Sequence, residues 1–222
     1  MLLRRIHRIY VLIQKSEQRE GRSFEKTSVL GMAPKVKVTS EMIIGAAMDF
    51  VEQNGYDALT VRQVAQCLSC STQPIYSCFS NMDDLKAEVC RVSREKCLSA
   101  LFDGVSMDDF LCSLSKSLLK FALEKPKLFR SVFVMPYSGR LDLFAEIKKR
   151  YSIGDIFGAQ GRMYDLSEAD VRRVVDKALY FALGYAVALT GEGRSEFTED
   201  MSDFLDGTIR ELVSGFFLSC GY

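Results

Sequence analysis

The 222-residue sequence has no tryptophan, four prolines, one histidine and no net charge, its 29 basic side chains matching 29 acidic ones. Each shortage closes off a class of function. His7, near the N-terminus, is the single imidazole, so His-dependent zinc sites and Ser-His-Asp or Cys-His catalysis are excluded from the main body of the chain. The seven cysteines are odd in number, lack the dense spacing of a secreted scaffold and follow no secretory signal, which implies reduced thiols in the cytoplasm. No unbroken apolar run approaches the roughly 18 to 20 residues of a membrane span. The longest candidate, Ala178 to Leu189, reads as a buried helix, and no membrane partner is expected. Phosphate-binding loops, paired catalytic carboxylates and metal-ligand clusters are missing too, so neither an enzyme nor a cofactor is expected. What remains is ordinary globular composition, 48% hydrophobic and 26% charged, in a chain long enough for one large domain and a small module.

Zero net charge conceals an asymmetry. Residues 1–38 carry Arg4, Arg5, Arg8, Lys15, Arg19, Arg22, Lys26, Lys35 and Lys37 against Glu17, Glu20 and Glu25, a net charge of +6 that the rest of the chain balances. Three readings compete for this basic N-terminal extension. Leu2, Leu3, Ile6, Ile9, Tyr10 and Ile13 at near-helical spacing suit a basic amphipathic helix on a membrane or on DNA. A targeting segment is the second reading, against which the apolar run from Ile9 to Ile13 is short and has no small-residue cleavage site. The favoured reading is leader sequence upstream of a start at Met32, because Met32-Ala33-Pro34-Lys35 looks like a natural beginning and capped helices follow at once.

From Thr39 onward the helical signals are strong. Thr39 or Ser40 can cap a first helix whose apolar face is Ile43, Ala47, Phe50 and Val51, and Asn54-Gly55 stops it. Thr60-Val-Arg-Gln63 is a capping box opening a short helix with Val61, Val64, Ala65 and Leu68 inward; it ends in a tight Leu68-Ser69-Cys70. Ser71 or Thr72 can cap a third helix, with Pro74 tolerated in its first turn and Ile75 and Phe79 facing inward. Ser80-Asn-Met-Asp83 resembles another capping box, opening a long fourth helix. Beyond it, apolar spacing predicts helices over Leu85 to Leu101, Met107 to Leu123, Pro126 to Val134, Leu141 to Tyr151, Glu168 to Leu189 and Glu199 to Leu218. Ser152 to Asp165, with three glycines, reads as a loop or broken helix. The fold class is all-α.

Two short helices joined by a tight turn form a helix-turn-helix, whose second helix enters the major groove by its N-terminal end. Here that end carries Ser71, Thr72, Gln73 and Pro74. Gln can pair with adenine, Ser and Thr can bond base edges or phosphates, and Pro74 or a Thr methyl can touch a thymine methyl. Arg62 is placed for a phosphate or guanine, and Tyr76 can reach a phosphate with its hydroxyl. The plainer reading makes Ser71 and Thr72 caps and Tyr76 a half-buried aromatic.

Residues 43–85 resemble the DNA-binding domain of TetR-family transcriptional regulators. The likeness rests on Gly55-Tyr-Asp-Ala-Leu-Thr-Val-Arg62, Val64-Ala65, Ile75-Tyr76-x-x-Phe79 and Asp83-Asp84-Leu85. The chain departs from that pattern at Ser69, where the turn usually has glycine, at Cys70, usually a hydrophobic residue, and at Met82, usually basic. The resemblance implies DNA contacts at Thr60, Arg62, Thr72, Gln73, Pro74 and Tyr76. It implies an N-terminal helix-turn-helix domain over 39–84 and a helical effector-binding and dimerisation domain over 85–222. The expected partners are double-stranded DNA with an inverted-repeat operator, a second copy of the chain in a homodimer and a small-molecule effector. The expected function is repression in the cytoplasm, released by that effector.

Residues 39–81 hold Arg62 against Glu41, Asp49, Glu52 and Asp57, a net charge of −3, although DNA affinity depends largely on cations. Lys35, Lys37 and Lys86 are the nearest supply. This shortage sustains an alternative, a helical dimeric protein-interaction module with a weak or lost DNA-binding surface. The stripe Phe204, Leu205, Ile209, Leu212, Val213, Phe216 and Phe217, together with the nearly all-apolar Ala178 to Leu189, supplies the candidate dimer face. Aromatic and Met side chains from Phe110 to Tyr185 could line an effector pocket, but at helical spacing they read more readily as core, so no effector residue is named. Cys67-Leu-Ser-Cys70, with Cys78 nearby, leaves redox or metal sensing open beside the simpler reading of buried small hydrophobes.

Overall fold

The computed structural model describes residues 37–134, 139, 141–152, 154–157 and 166–219. Val38–Tyr222 makes one compact unit, divided at Lys37 from the residues before it. Of those earlier residues only Lys37 is described; Lys35 and the expected leader fall outside.

The described residues are helical, with no strand among them. Helix α1 (Ser40–Asn54) begins where Thr39 Oγ1 accepts the Met42 N–H at 3.3 Å, and ends at Gly55, whose φ of 85° is a glycine conformation. Helix α2 (Val61–Cys67) is capped by Thr60, whose Oγ1 accepts the Gln63 N–H at 3.4 Å. The reciprocal half of the expected box differs: the Thr60 hydroxyl donates to Gln63 Oε1, since a hydroxyl can accept and donate at once.

At α3 (Gln73–Cys78) neither expected cap operates. Thr72 stands at the N-cap with helical backbone (φ −72°, ψ −15°) and makes no side-chain cap bond; an oxygen cap needs an extended residue there. Ser71 is exposed one position earlier, and Pro74 falls in the first turn as expected. The box opening α4 (Met82–Phe102) shifts by one residue from Ser80 to Asn81. Asn81 Oδ1 accepts the Asp84 N–H at 2.9 Å while its Nδ2 donates to Asp84 Oδ2 at 3.2 Å, which Ser80 could not do with one hydroxyl.

Helix α5 covers Phe110–Glu124, later than the Met107 start expected, because residues 107–109 form a turn. Helix α6 (Pro126–Phe129) runs into a π-helical turn over Arg130–Val134. Helix α7 is shortened to Leu143–Lys148, since Asp142 has left the helix to accept the Ala145 N–H at 3.0 Å. Residues 154–157 add one helical turn in the stretch read as loop or broken helix. Helices α8 (Glu168–Gly191) and α9 (Glu199–Ser219) follow the expected spans closely.

Burial explains the assembly. Ile43, Ala47 and Val51 present one face of α1 to Leu59, Val64, Ile75, Leu85 and Val89, and α1 packs on α2, α3, α4 and α6. Helix α5 is surrounded: Leu111, Leu114, Leu118, Leu119, Ala122 and Leu123 are buried on several sides, against α4, α6, α8 and α9. Helix α8 lays Val171, Val174, Ala178, Ala182 and Ala186 toward α5 and α9. Phe110, Phe121, Phe129 and Phe144 are buried core; Met135, Tyr137, Met163 and Tyr164 fall outside the described residues. Buried apolar side chains form one cluster from Ile43 to Phe217, with α4 contributing Leu85 and Val89 near one end and Cys97 and Leu101 near the other. By length and composition α8, with an 18-residue window of mean hydropathy 1.2, could span a bilayer, which a search for unbroken apolar runs does not register.

Candidate nucleic-acid interface

The turn between α2 and α3 is closed by two backbone bonds, Ser69 N–H to Gln66 O at 3.0 Å and Cys70 N–H to Ala65 O at 2.9 Å. This is the Schellman helix stop, which requires a left-handed residue, and Ser69 takes it at φ 50°. Serine there costs about 1–2 kcal/mol relative to an unstrained backbone, which glycine would avoid. The turn keeps its geometry without its usual residue.

Helix α3 is held by Ile75, 1% exposed, with Phe79 half-buried behind it. A six-residue helix with one buried anchor turns nearly everything else outward. Gln73, Tyr76 (54% exposed), Ser77 and Cys78 are exposed; Thr72 and Pro74 are half-buried. Four of the expected DNA contacts, Thr72, Gln73, Pro74 and Tyr76, thus share this short helix and its cap, with exposed Ser71 just before. Thr60 and Arg62 are exposed at the opening of α2, and Arg62 has no ion-pair partner among the described residues. Lys37 is exposed, whereas Lys86 is half-buried in α4 and its carbonyl accepts the hydroxyl of the buried Tyr56. Tyr76 is thus not the half-buried aromatic of the plainer reading. Ser77 is an exposed neighbour that sequence reasoning missed; its hydroxyl donates to Gln73 O at 3.0 Å, a spacing of four that could have flagged it.

The thiols divide by location. Cys67 and Cys78 are exposed and Cys70 is half-buried, which overturns the expectation of buried small hydrophobes in the helix-turn-helix. Cys90, Cys97 and Cys112 are buried instead; burial pushes the Cys97 thiol up, and burial with the neighbouring Asp109 pushes Cys112 up to about 12. No group of metal-binding side chains occurs among the described residues.

Electrostatic contacts pin the C-terminal end of α1 to the body. Glu52 accepts from Lys125 at 2.6 Å and from Lys96, while Lys127 donates to Gln53 O. Burial opposes ionisation of Glu52, but the two ammonium groups outweigh it and hold the carboxyl below the ordinary glutamate range. The partners lie 44 and 73 residues away, so no local signal could have revealed them. Between α4 and α7 an open cleft of about 910 Å³ is lined by Arg91, Arg94, Phe102, Glu146, Lys149 and Arg150. Its charges are largely mutually engaged: Arg91 pairs with Glu88 and Glu95, while Lys149 and Arg150 pair with Glu146.

A tight-turned helix pair presenting the first turn of its second helix to solvent, on an all-helical body, defines a helix-turn-helix DNA-binding protein. Residues 43–89 match the family model for bacterial regulatory proteins of the tetR family. The uncharacterised HTH-type transcriptional regulator YobS of Bacillus subtilis (strain 168) is 19% identical over 191 residues, 85% of this chain and 97% of that protein. Among solved structures, a single-substitution variant of TetR from Acinetobacter baumannii AYE in complex with minocycline superposes with a TM-score of 0.54 at 16% identity, covering 81% of this chain and 97% of that one. A TetR-family protein from Vibrio parahaemolyticus gives 0.51 at 16% identity, covering 76% and 94%. By these matches residues 43–89 carry a DNA-binding domain of the tetR type, and the chain as a whole is similar to TetR-family transcriptional regulators.

Proposed function

We propose that the protein is a homodimeric repressor that binds an inverted-repeat operator through α3 and is released by a small molecule, with residues 39–84 as the DNA-binding domain and 85–222 as the effector-binding and dimerisation domain. It works in the cytoplasm on double-stranded DNA. Thr60, Arg62, Ser71, Thr72, Gln73, Pro74 and Tyr76 make the contacts, with Lys35, Lys37 and Lys86 adding charge. The observation that carries this reading is the outward face of α3, where Gln73, Tyr76 and Ser77 are exposed on a helix anchored by Ile75. Gln is suited to adenine, and the hydroxyls to phosphates or base edges.

Dimerisation is supported by the open side of α8 and α9. Tyr180 (50% exposed), Gly184 and Ala188 follow one another at spacings of four along α8, while Phe204 (52%) and Leu218 (75%) stand out on α9. Phe181, Tyr185 and Phe204 form a ring cluster with centroids 5.1 to 6.3 Å apart. Apart from adjoining residues and the helix's own backbone, no described atom lies within 4 Å of where a Cβ on Gly184, Gly207 or Gly215 would sit. Small residues beside open space and exposed aromatics suit helices of a second copy packing closely there.

Release follows from geometry: two recognition helices must lie about 34–36 Å apart to enter successive major grooves. An effector favouring one arrangement of the helices around α4 shifts that spacing; one bound equally to both arrangements shifts nothing. The cleft beside α4 supports such a route. Selecting bound duplexes from a random pool with the full chain tests the reading, and an enriched inverted repeat is the expected result. A folded dimer that enriches no sequence would instead identify a protein-interaction module.

A further inference from the structure

We propose that the helix-turn-helix carries a covalent control site: Cys67 and Cys78 take up a small soft electrophile of the α,β-unsaturated carbonyl class, and the adduct keeps α3 out of the groove. The inference rests on the DNA-binding reading above and adds a route of release that bypasses the second domain. The partition of the thiols carries it. Of the six described cysteines, those of the head, Cys67, Cys70 and Cys78, are exposed or half-buried, and those of the body, Cys90, Cys97 and Cys112, are buried; none is in a disulfide. Burial also holds the Cys97 and Cys112 thiols protonated, so the nucleophilic thiolate is suppressed there. Cys70 packs on the apolar core and is the least accessible of the head's three. The two exposed thiols bracket the recognition element. Cys67 is the last residue of α2, six positions before Gln73 opens α3, and Cys78 is the last residue of α3. At a rise of about 1.5 Å per residue, Cys78 lies only about 7.5 Å along the axis from Gln73, within the major groove's depth of about 8.5 Å. It shares a helix face with Pro74, four residues earlier. A helix with its side chains is about 10–12 Å across and the groove about 12 Å wide, which leaves no room for an added ring on α3. The step balances without an oxidant or reductant. The thiolate sulfur adds to the β-carbon, and a C–S bond forms as the C=C π pair moves toward the carbonyl. The resulting enolate takes up at its α-carbon the proton that the thiol gave to water, and nothing leaves.

The test treats the full chain with stoichiometric N-ethylmaleimide, free and bound to a selected duplex, maps the adducts by peptide mass and measures duplex affinity. In the free protein Cys67 and Cys78 should be labelled first, Cys70 more slowly, and Cys90, Cys97 and Cys112 only after unfolding. Duplex affinity should fall at least about tenfold, the size of losing one or two base-pair contacts, while the helical circular dichroism signal stays unchanged. Bound duplex should slow the labelling of Cys78. The double variant Cys67→Ser with Cys78→Ser should keep duplex affinity and become insensitive to the reagent, and Cys78→Ser alone should remove most of the effect because Cys78 sits on α3 itself. Full labelling of Cys67 and Cys78 with unchanged affinity, first labelling at a buried thiol, or loss of helical signal on labelling would each overturn the proposal. Sensitivity that persists in the double variant would move the effect to another thiol and overturn it as well. A wild-type chain that binds no duplex before treatment would sink the DNA-binding reading and the release step with it, a failure visible before any reagent is added.

Discussion

The recognition end and the C-terminal helix pair expose opposite kinds of surface. Helix α3, six residues long and anchored by Ile75, turns polar but uncharged side chains outward. Helices α8 and α9, 24 and 21 residues long, bury full stripes inside the chain yet leave Tyr180, Phe204 and Leu218 in the open. One surface is short of charge for its proposed partner; the other is short of polarity for water. The first carries no cation of its own for a phosphate backbone, and the second is the face to which the proposed second copy is assigned.

The sharpest way to break the comparison is at the C-terminal pair. Tyr180→Asp with Phe204→Asp places charge on the exposed apolar face, and the expected outcome is a folded monomer by light scattering. Operator affinity should fall at least about a hundredfold, because a lone half-site contact forfeits the linked second one. The same variants in a chain that stays dimeric would mean that these aromatics face solvent.

The joint between α1 and the helices behind the head predicts the next largest effect. Glu52→Gln leaves Lys96 and Lys125 without their carboxylate and should cost about 1–2 kcal/mol in a denaturant titration. Because folding lowers the pKa of Glu52 and so favours its charged form, its contribution is fully present above the unfolded carboxyl value, about 4.3, and is lost as pH falls through the lower folded value. The gap between wild type and Glu52→Gln should therefore shrink below about pH 4.

Two substitutions at the head test its local stability. Thr60→Ala removes the α2 cap and should cost about 1 kcal/mol. The smallest effect compares two turns of identical hydrogen bonding. The end of α8 repeats the Schellman pair, Gly193 N–H to Thr190 O at 3.2 Å and Arg194 N–H to Leu189 O at 3.0 Å, with glycine at φ 76° where the head has Ser69. Ser69→Gly should raise thermal stability by about 0.5 kcal/mol and leave duplex selectivity unchanged, backbone strain being relieved against a small entropic loss. A rise in midpoint accompanied by altered selectivity would show that Ser69 contacts DNA.

Helix boundaries were legible wherever a signal is local. Thr39, Thr60, Gly55 and Pro74 occupy the positions their chemistry suggested. Reading faltered by a single residue at Ser80 versus Asn81, where two good caps adjoin and the amide's extra donor decides. It failed at Thr72, whose backbone is already helical, and at Cys67 and Cys78, whose exposure depends on what packs around α2 and α3. The candidate contacts on α3 were legible because one inward residue, Ile75, fixes the orientation of a short helix.

The sequence by itself determined the all-helical class, the helix-turn-helix and its shortage of positive charge, because caps, apolar periodicity and formal charge are properties of neighbouring residues. Only the tertiary structure decided that Glu52 bridges to lysines 44 and 73 residues away, that α5 is enclosed on several sides, and that Tyr180 and Phe204 remain exposed. Those outcomes depend on which long-range surfaces meet, and a helix's periodicity shows that it has an apolar face without showing whether this chain or another covers it.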